Sequence, residues 1–145
     1  MRKGFTLVEL LIVLAVIAAL MAVATPMAMN AVRTAKASQV GQNLSALKSA
    51  VEQYVYTEKK APTSINDLKD YVTNFDAIKG SYVLDTKNFD STNKATILII
   101  YDGLDVTPSA VANQYTLAGT VTLAGTVTNK NTPLPGATVT VMKWW

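Results

Sequence analysis

The 145-residue chain contains no cysteine and no histidine. Their absence removes disulfides, thiol nucleophiles, imidazole bases and every His/Cys zinc site at once. An exported domain of this composition must be held by its apolar core alone. Charge of one sign is also scarce: thirteen Lys and Arg face ten Asp and Glu, and Arg2 and Lys3 supply two of the thirteen. No basic stripe interleaved with aromatics occurs, so nucleic acid is not an indicated partner. Paired carboxylates, a serine–lysine pair or an all-oxygen metal site would survive these exclusions. However, there is no G-x-S-x-G, P-loop or G-x-G-x-x-G motif. The expectation is a chain that is not an enzyme and carries no cofactor or metal.

What the sequence does contain is one long apolar run, Phe5 to Ala24, within "MRKGFTLVELLIVLAVIAALMAVATPMAMNAV". Twenty residues of helix reach roughly 30 Å, about one hydrocarbon core. Arg2 and Lys3 precede the run, and flanking cations stay in the cytoplasm. The N-terminus is therefore expected inside and everything after residue 24 outside. One residue resists this simple picture. Glu9 places a carboxylate within the apolar run, where a charge costs about 2.5–3.5 kcal/mol at the bilayer centre by insertion measurements.

Three readings share that topology. A secretory signal peptide would use Ala22-Val23-Ala24 as an A-x-A cleavage site, although the run exceeds the usual h-region and contains Glu9. A plain signal anchor would tolerate Glu9 near the inner interface. The third reading takes Gly4-Phe5-Thr6-Leu7-Val8-Glu9, followed by an unbroken apolar helix, as a processing and assembly signal. In these residues the chain resembles the type IV pilins and their secretion-system relatives, the pseudopilins.

The resemblance is specific over Lys3 to about Pro26, and several expectations follow from it. A membrane-embedded peptidase cuts between Gly4 and Phe5, and the same enzyme methylates the new amine of Phe5. Copies then leave the bilayer and stack into a helical filament, where Glu9 of one subunit meets the Phe5 amine of a neighbour. The implied partners are other copies of the chain, the prepilin peptidase/methyltransferase, an inner-membrane assembly platform and, before assembly, the membrane. The implied location is the bacterial inner membrane, single-pass, and afterwards an extracellular or cell-surface filament. Major pilin, minor pilin and type II secretion pseudopilin share this N-terminus and stay open. So does a monomeric, membrane-anchored binding module with a sandwich-like C-terminus.

The implied fold class is α+β and pilin-like: a long helix, about 5–59, whose C-terminal half packs on a small antiparallel sheet. The expected divisions are a leader 1–4, a membrane or filament-core helix 5–25, an amphipathic stalk helix 26–60 and a β-rich head 61–145. Pro26 removes a helical N–H and crowds the carbonyl four residues back, so a helix end, restart or kink is expected there. Beyond it Val40, Leu44, Leu47, Val51 and Tyr54 recur at spacings of four and three, giving one stripe for the sheet. Lys59 and Lys60 before Pro62 suggest the helix end. "PTSINDLKDYVTN" reads as a short helix near 65–73, capped by Ser64 or Thr63, with Asp67 in its first turn.

In the head, "SYVLD" and "ATILIIYDG" read as strands, the second buried on both faces. The polar link between them offers Asp85, Asn88, Asp90 and Asn93 as oxygen ligands. Their spacing matches no defined calcium loop, and a solvated loop is expected. The unit TLAGTV occurs twice, from Thr116 and from Thr122. Its alternation assigns Leu117, Val121, Leu123 and Val127 to the core and the threonines to solvent, with a bend at Gly119 or Gly125. "ATVTVM" repeats the scheme with Val139 and Val141 inside. "AGTVTNKNTPLPGATVTV" also resembles the opening hairpin of a carboxypeptidase-regulatory-like, prealbumin-type sandwich. Trp144 and Trp145 are expected to plug the core or an edge. The C-terminal disulfide common in pilins has no counterpart here.

Overall fold

The computed structural model describes residues 4–87, 94–103, 105–114, 118–121 and 134–142. It divides into two compact units, Met1–Ala35 and Lys36–Trp145, each taken by itself below.

Helix α1 spans Leu7–Glu58. Its portion in the first unit is exposed along its whole length, including Leu7, Leu10, Leu14, Ile17, Leu20 and Val32. Apolar residues occupy every side of the helix here, so no stripe can be turned inward. Pro26 lies inside α1 and does not end it. It has no N–H to give the Ala22 carbonyl. One residue earlier, the Thr25 hydroxyl donates to the Met21 carbonyl at 2.8 Å, a back-bond of the kind that bends helices.

In the second unit the same helix behaves differently. Ala37, Val40, Leu44, Leu47, Ala50, Val51, Tyr54 and Val55 are all buried. The whole expected stripe is therefore internal, widened by small residues that let the sheet approach. The helix stops one residue before the cation pair, at Glu58. Lys59 takes φ 54, the left-handed conformation that glycine usually supplies at a helix end. Lys60 folds back, 3.6 Å from Glu58 and 5.8 Å from the Tyr54 ring centroid.

Of the short helix expected near 65–73, one 3₁₀ turn forms, Ile65–Leu68. Ser64 is the N-cap and receives the Asn66 amide, while Asp67 reaches back in a capping box. The Asp67 Oδ2 accepts from the Thr63 amide (2.8 Å), the Thr63 hydroxyl (3.0 Å) and the Ser64 amide (3.1 Å). These bonds hold the Asp67 carboxyl below the usual carboxylate range, the Thr63 amide contributing most. Two further short helices follow: α2, Phe75–Ile78, entered through a left-handed Asn74, and α3, Pro108–Gln114.

The sheet has strands β1 (Tyr82–Lys87), β2 (Lys94–Tyr101), β3 (Ala118–Val121) and β4 (Leu134–Met142) in the order β1-β2-β4-β3. All three pairings are antiparallel. One face gathers Tyr82, Ala95, Ile97, Ile99, Tyr101, Ala137, Val139 and Val141 into a single cluster with the α1 stripe, Leu68, Ile78, Val106 and Val111. Val139 and Val141 point inward as their alternation requires, with Thr138 and Thr140 exposed. The other face carries its own small cluster, in which Ile100 and Leu134 are buried with Leu98 packed against them. This is why Ile97 to Ile100 is continuously apolar.

The register of β3 sets Val121 opposite Leu134 and Gly119 opposite Gly136. Thr120 is paired with Pro135. Gly125, the rest of the TLAGTV repeat, Asn88, Asp90, Asn93, Trp144 and Trp145 lie outside the described residues.

Candidate processing and assembly site

The expected site residues in the first unit are Gly4, Phe5, Glu9 and Pro26. Residues 4–6 are not helical, so the Gly4–Phe5 bond lies in non-helical backbone ahead of α1. A Cβ built on Gly4 meets nothing within 4 Å, and its φ is not in the left-handed range. The chain's own fold therefore makes no demand for glycine at this position. Phe5 is 86% exposed. Both partners of the expected scissile bond are open to an outside protein.

Glu9 is better supplied locally than its place in an apolar run suggests. Its Oε2 accepts from the Thr6 amide and from the Thr6 hydroxyl, both at 2.8 Å. The Glu9 amide in turn donates to the Thr6 hydroxyl oxygen at 3.3 Å. Thr6 and Glu9 therefore form a reciprocal capping box that closes the start of α1. The carboxylate also sits where the helix dipole favours negative charge. A T-x-x-E ahead of an apolar run is a recognised sequence signature of this cap. Pro26 is far along the helix from this cap and is not brought near Glu9.

The second unit holds a separate polar cluster. Lys36 on α1 pairs with the Oδ2 of Asp105, whose Oδ1 accepts from the Tyr101 hydroxyl at 2.7 Å. Lys36 and then Tyr101 hold the Asp105 carboxyl below its usual range. Burial, reinforced by the bond to Asp105, pushes the Tyr101 phenol well above its own. Gly103 is required here: a Cβ would lie 2.2 Å from the Tyr101 ring. Beside this cluster is a cavity of about 200 Å³ lined by Lys36, Gln39, Asn43, Ser81, Tyr82 and Tyr101.

Among the described residues no group of three or more His, Cys, Asp or Glu gathers as a metal site. The S-x-x-K spacing of serine–lysine enzymes occurs at Ser45–Lys48, on the stalk helix, and at Ser91–Lys94. Among the described residues no hydrogen bond joins Ser45 to Lys48. α1 is also the one described helix long and apolar enough to cross a membrane.

The first 25 residues match the prokaryotic N-terminal methylation motif. The chain is also similar to the type IV major fimbrial protein FimA of Dichelobacter nodosus. That likeness is 38% identity over 61 residues, covering 42% of this chain and 38% of FimA. The type IV major pilin protein PilE1 of Neisseria gonorrhoeae is 34% identical over 98 residues, covering 68% of this chain and 59% of that pilin. The chain thus spans less than two thirds of the length of either relative. No solved structure matches it. The motif, the similarity to major pilins and the long helix packed on a small antiparallel sheet agree with one another.

Proposed function

We propose that the chain is a prepilin: the precursor of a structural subunit in an extracellular, type IV pilus-like filament. The observation that carries this reading is the methylation motif running directly into an apolar helix that is exposed on every side. Such a surface is stable only in lipid or against other apolar helices. Before assembly it spans the inner membrane with its N-terminus inside. The prepilin peptidase/methyltransferase cuts between Gly4 and Phe5 and methylates the Phe5 amine. The openness around Gly4 supports this, since the small residue answers a demand from outside the chain. The assembly platform then adds the subunit to copies of itself.

In the filament the apolar helices bundle, and Glu9 pairs with the Phe5 ammonium of a neighbouring copy. A carboxylate accepts at both oxygens, and the capping box uses only Oε2. Leaving a buried charge unpaired costs about 3–5 kcal/mol, so a subunit in the wrong register is penalised. The pairing selects position more than it adds stability. Near Pro26 the missing hydrogen bond gives the core helix a place to bend as it packs.

Mass spectrometry of the membrane-extracted and filament forms tests the reading. The expected result is a mature N-terminus at methylated Phe5 in both. An N-terminus at Met1 would favour a monomeric anchored module, and one at Thr25 a secreted protein. Glu9→Leu is expected to insert in the membrane and to give at least a tenfold lower filament yield. Normal yield would contradict the pairing.

A further inference from the structure

The cavity of about 200 Å³ in the second unit plays no part in processing or in the packing of the apolar helix. We infer that it binds one small, neutral, polyhydroxylated molecule: a polyol or a single sugar ring. The basis is Tyr82, a cavity-lining residue only 4% exposed, whose hydroxyl is buried without a hydrogen-bond partner. A buried hydroxyl left unpaired is costly, and native folds rarely leave one so. Asn43, also on the cavity wall, is near enough to favour the ionised phenol, yet it stands outside hydrogen-bond geometry. Its amide carries both a carbonyl acceptor and N–H donors. A ligand that draws this amide into line lets the carbonyl accept from Tyr82 while the N–H group donates to the ligand.

The lining decides the chemical class. Its cation, Lys36, is neutralised by Asp105, so the cavity offers no net charge to an ion. What it offers are the amides of Gln39 and Asn43 and the hydroxyls of Ser81 and Tyr82, each a donor and an acceptor. Sugar and polyol hydroxyls have the same double character, whereas a carboxylate only accepts and an ammonium only donates. The apolar wall is fixed as well. The Tyr82 and Tyr101 rings lie 5.2 Å apart, tilted by 53°, and Asp105 holds the Tyr101 hydroxyl. Apolar walls with a few placed polar groups are the usual form of a small-molecule pocket. Lys36 and Gln39 are exposed while Tyr82 and Tyr101 are buried, so the site opens at α1 and closes at the sheet. Size sets the upper limit. A cavity of about 150 Å³ takes one benzene ring, so this one takes a single substituted ring and not two.

Nuclear magnetic resonance of the full chain in detergent, titrated with glycerol, with glucose and, for contrast, with acetate, tests the site. The expected result is saturable shifts confined to the lining residues with glucose or glycerol, on the millimolar scale that so few atoms allow. Acetate is expected to give none. Asn43→Ala is expected to weaken binding about tenfold, and Tyr82→Phe about fivefold, the scale of one hydrogen bond. Without sugar, Tyr82→Phe is expected to melt no lower than wild type, because it deletes an unpaired hydroxyl. Shifts that never saturate with any probe, as a water-filled cavity or a general osmolyte effect gives, would overturn the inference. Saturation by acetate would overturn the neutral class. Saturable sugar shifts left unchanged by both variants would put the binding elsewhere and overturn the site. A Tyr82→Phe head that melts well below wild type would mean the hydroxyl is already satisfied, against the inference. Filament yield does not enter these readouts, so the filament reading stands or falls separately.

Discussion

The two ends of α1 both carry Leu, Val and Ala, yet one is exposed throughout and the other is buried along a stripe. They differ in composition and in spacing: Lys, Ser, Gln, Asn and Glu interrupt the second end, while the first is apolar at every position from Leu10 to Ala24. From Val40 to Tyr54 the large residues recur at three and four, so one face can be covered by the chain's own sheet. From Leu10 to Ala24 every position is apolar, so no single face is marked for covering by the chain's own sheet. Periodicity records burial that the chain achieves by itself. Uniform apolarity records burial that needs lipid or other copies.

The largest expected effect tests that contrast. Leu47→Ala in the second unit is expected to lower stability by about 2–5 kcal/mol, because it opens a cavity in a closed core. Leu14→Ala in the first unit is expected to leave the melting of the second unit unchanged while reducing filament yield. Thermal or denaturant unfolding of the full chain in detergent, followed through the head's tyrosines, measures both. Equal destabilisation by the two would erase the distinction.

A smaller effect is expected at Gly103→Ala. The added Cβ must displace the Tyr101 ring and with it the bond to Asp105. Since the displaced hydroxyl bonds a charged group, a loss of about 1.5–3 kcal/mol is expected. It should be confined to the second unit, with N-terminal processing untouched.

The pH response sharpens the same point. Asp67 and Asp105 have folded pKa values lowered by their hydrogen-bond donors. Their contribution is therefore complete above about pH 4, the unfolded carboxylate value, and is lost as pH falls through the folded values. Tyr82 and Tyr101 have folded values raised by burial. Their contribution is complete below about pH 10 and is lost as pH rises beyond it. Melting temperature is expected to fall on both flanks for the wild type. Asp67→Asn should flatten part of the acid flank alone.

The smallest effect is a gain. Lys59 occupies a left-handed conformation at the end of α1. Lys59→Gly is expected to raise stability by roughly 1 kcal/mol, read as a higher denaturant midpoint at unchanged slope.

How much of this was legible follows the same division. The α1 stripe, β1, β2 and β4 could be read because burial on one or both faces leaves a period in the residues. The short helix near 65–73 could be read only in part, since Ile65, Leu68 and Tyr71 suggest a longer face than the single 3₁₀ turn Ile65–Leu68 provides. Helices α2 and α3 are too short to show a period, although Thr107-Pro108 carries the proline signal of a helix start. At the site, Gly4, Phe5 and Glu9 were legible as a motif. The Thr6–Glu9 cap was missed because Glu9 was weighed as a charge in lipid, when T-x-x-E is also a capping signature.

The most direct test of the pairing is a structure of the assembled filament at side-chain resolution. The expected result is a Glu9 carboxylate oxygen within about 4 Å of the Phe5 nitrogen of a neighbouring copy, the range of an ion pair, with the other oxygen still on Thr6. A Glu9 side chain turned away from every Phe5 nitrogen, or filaments that retain residues 1–4, would contradict the account.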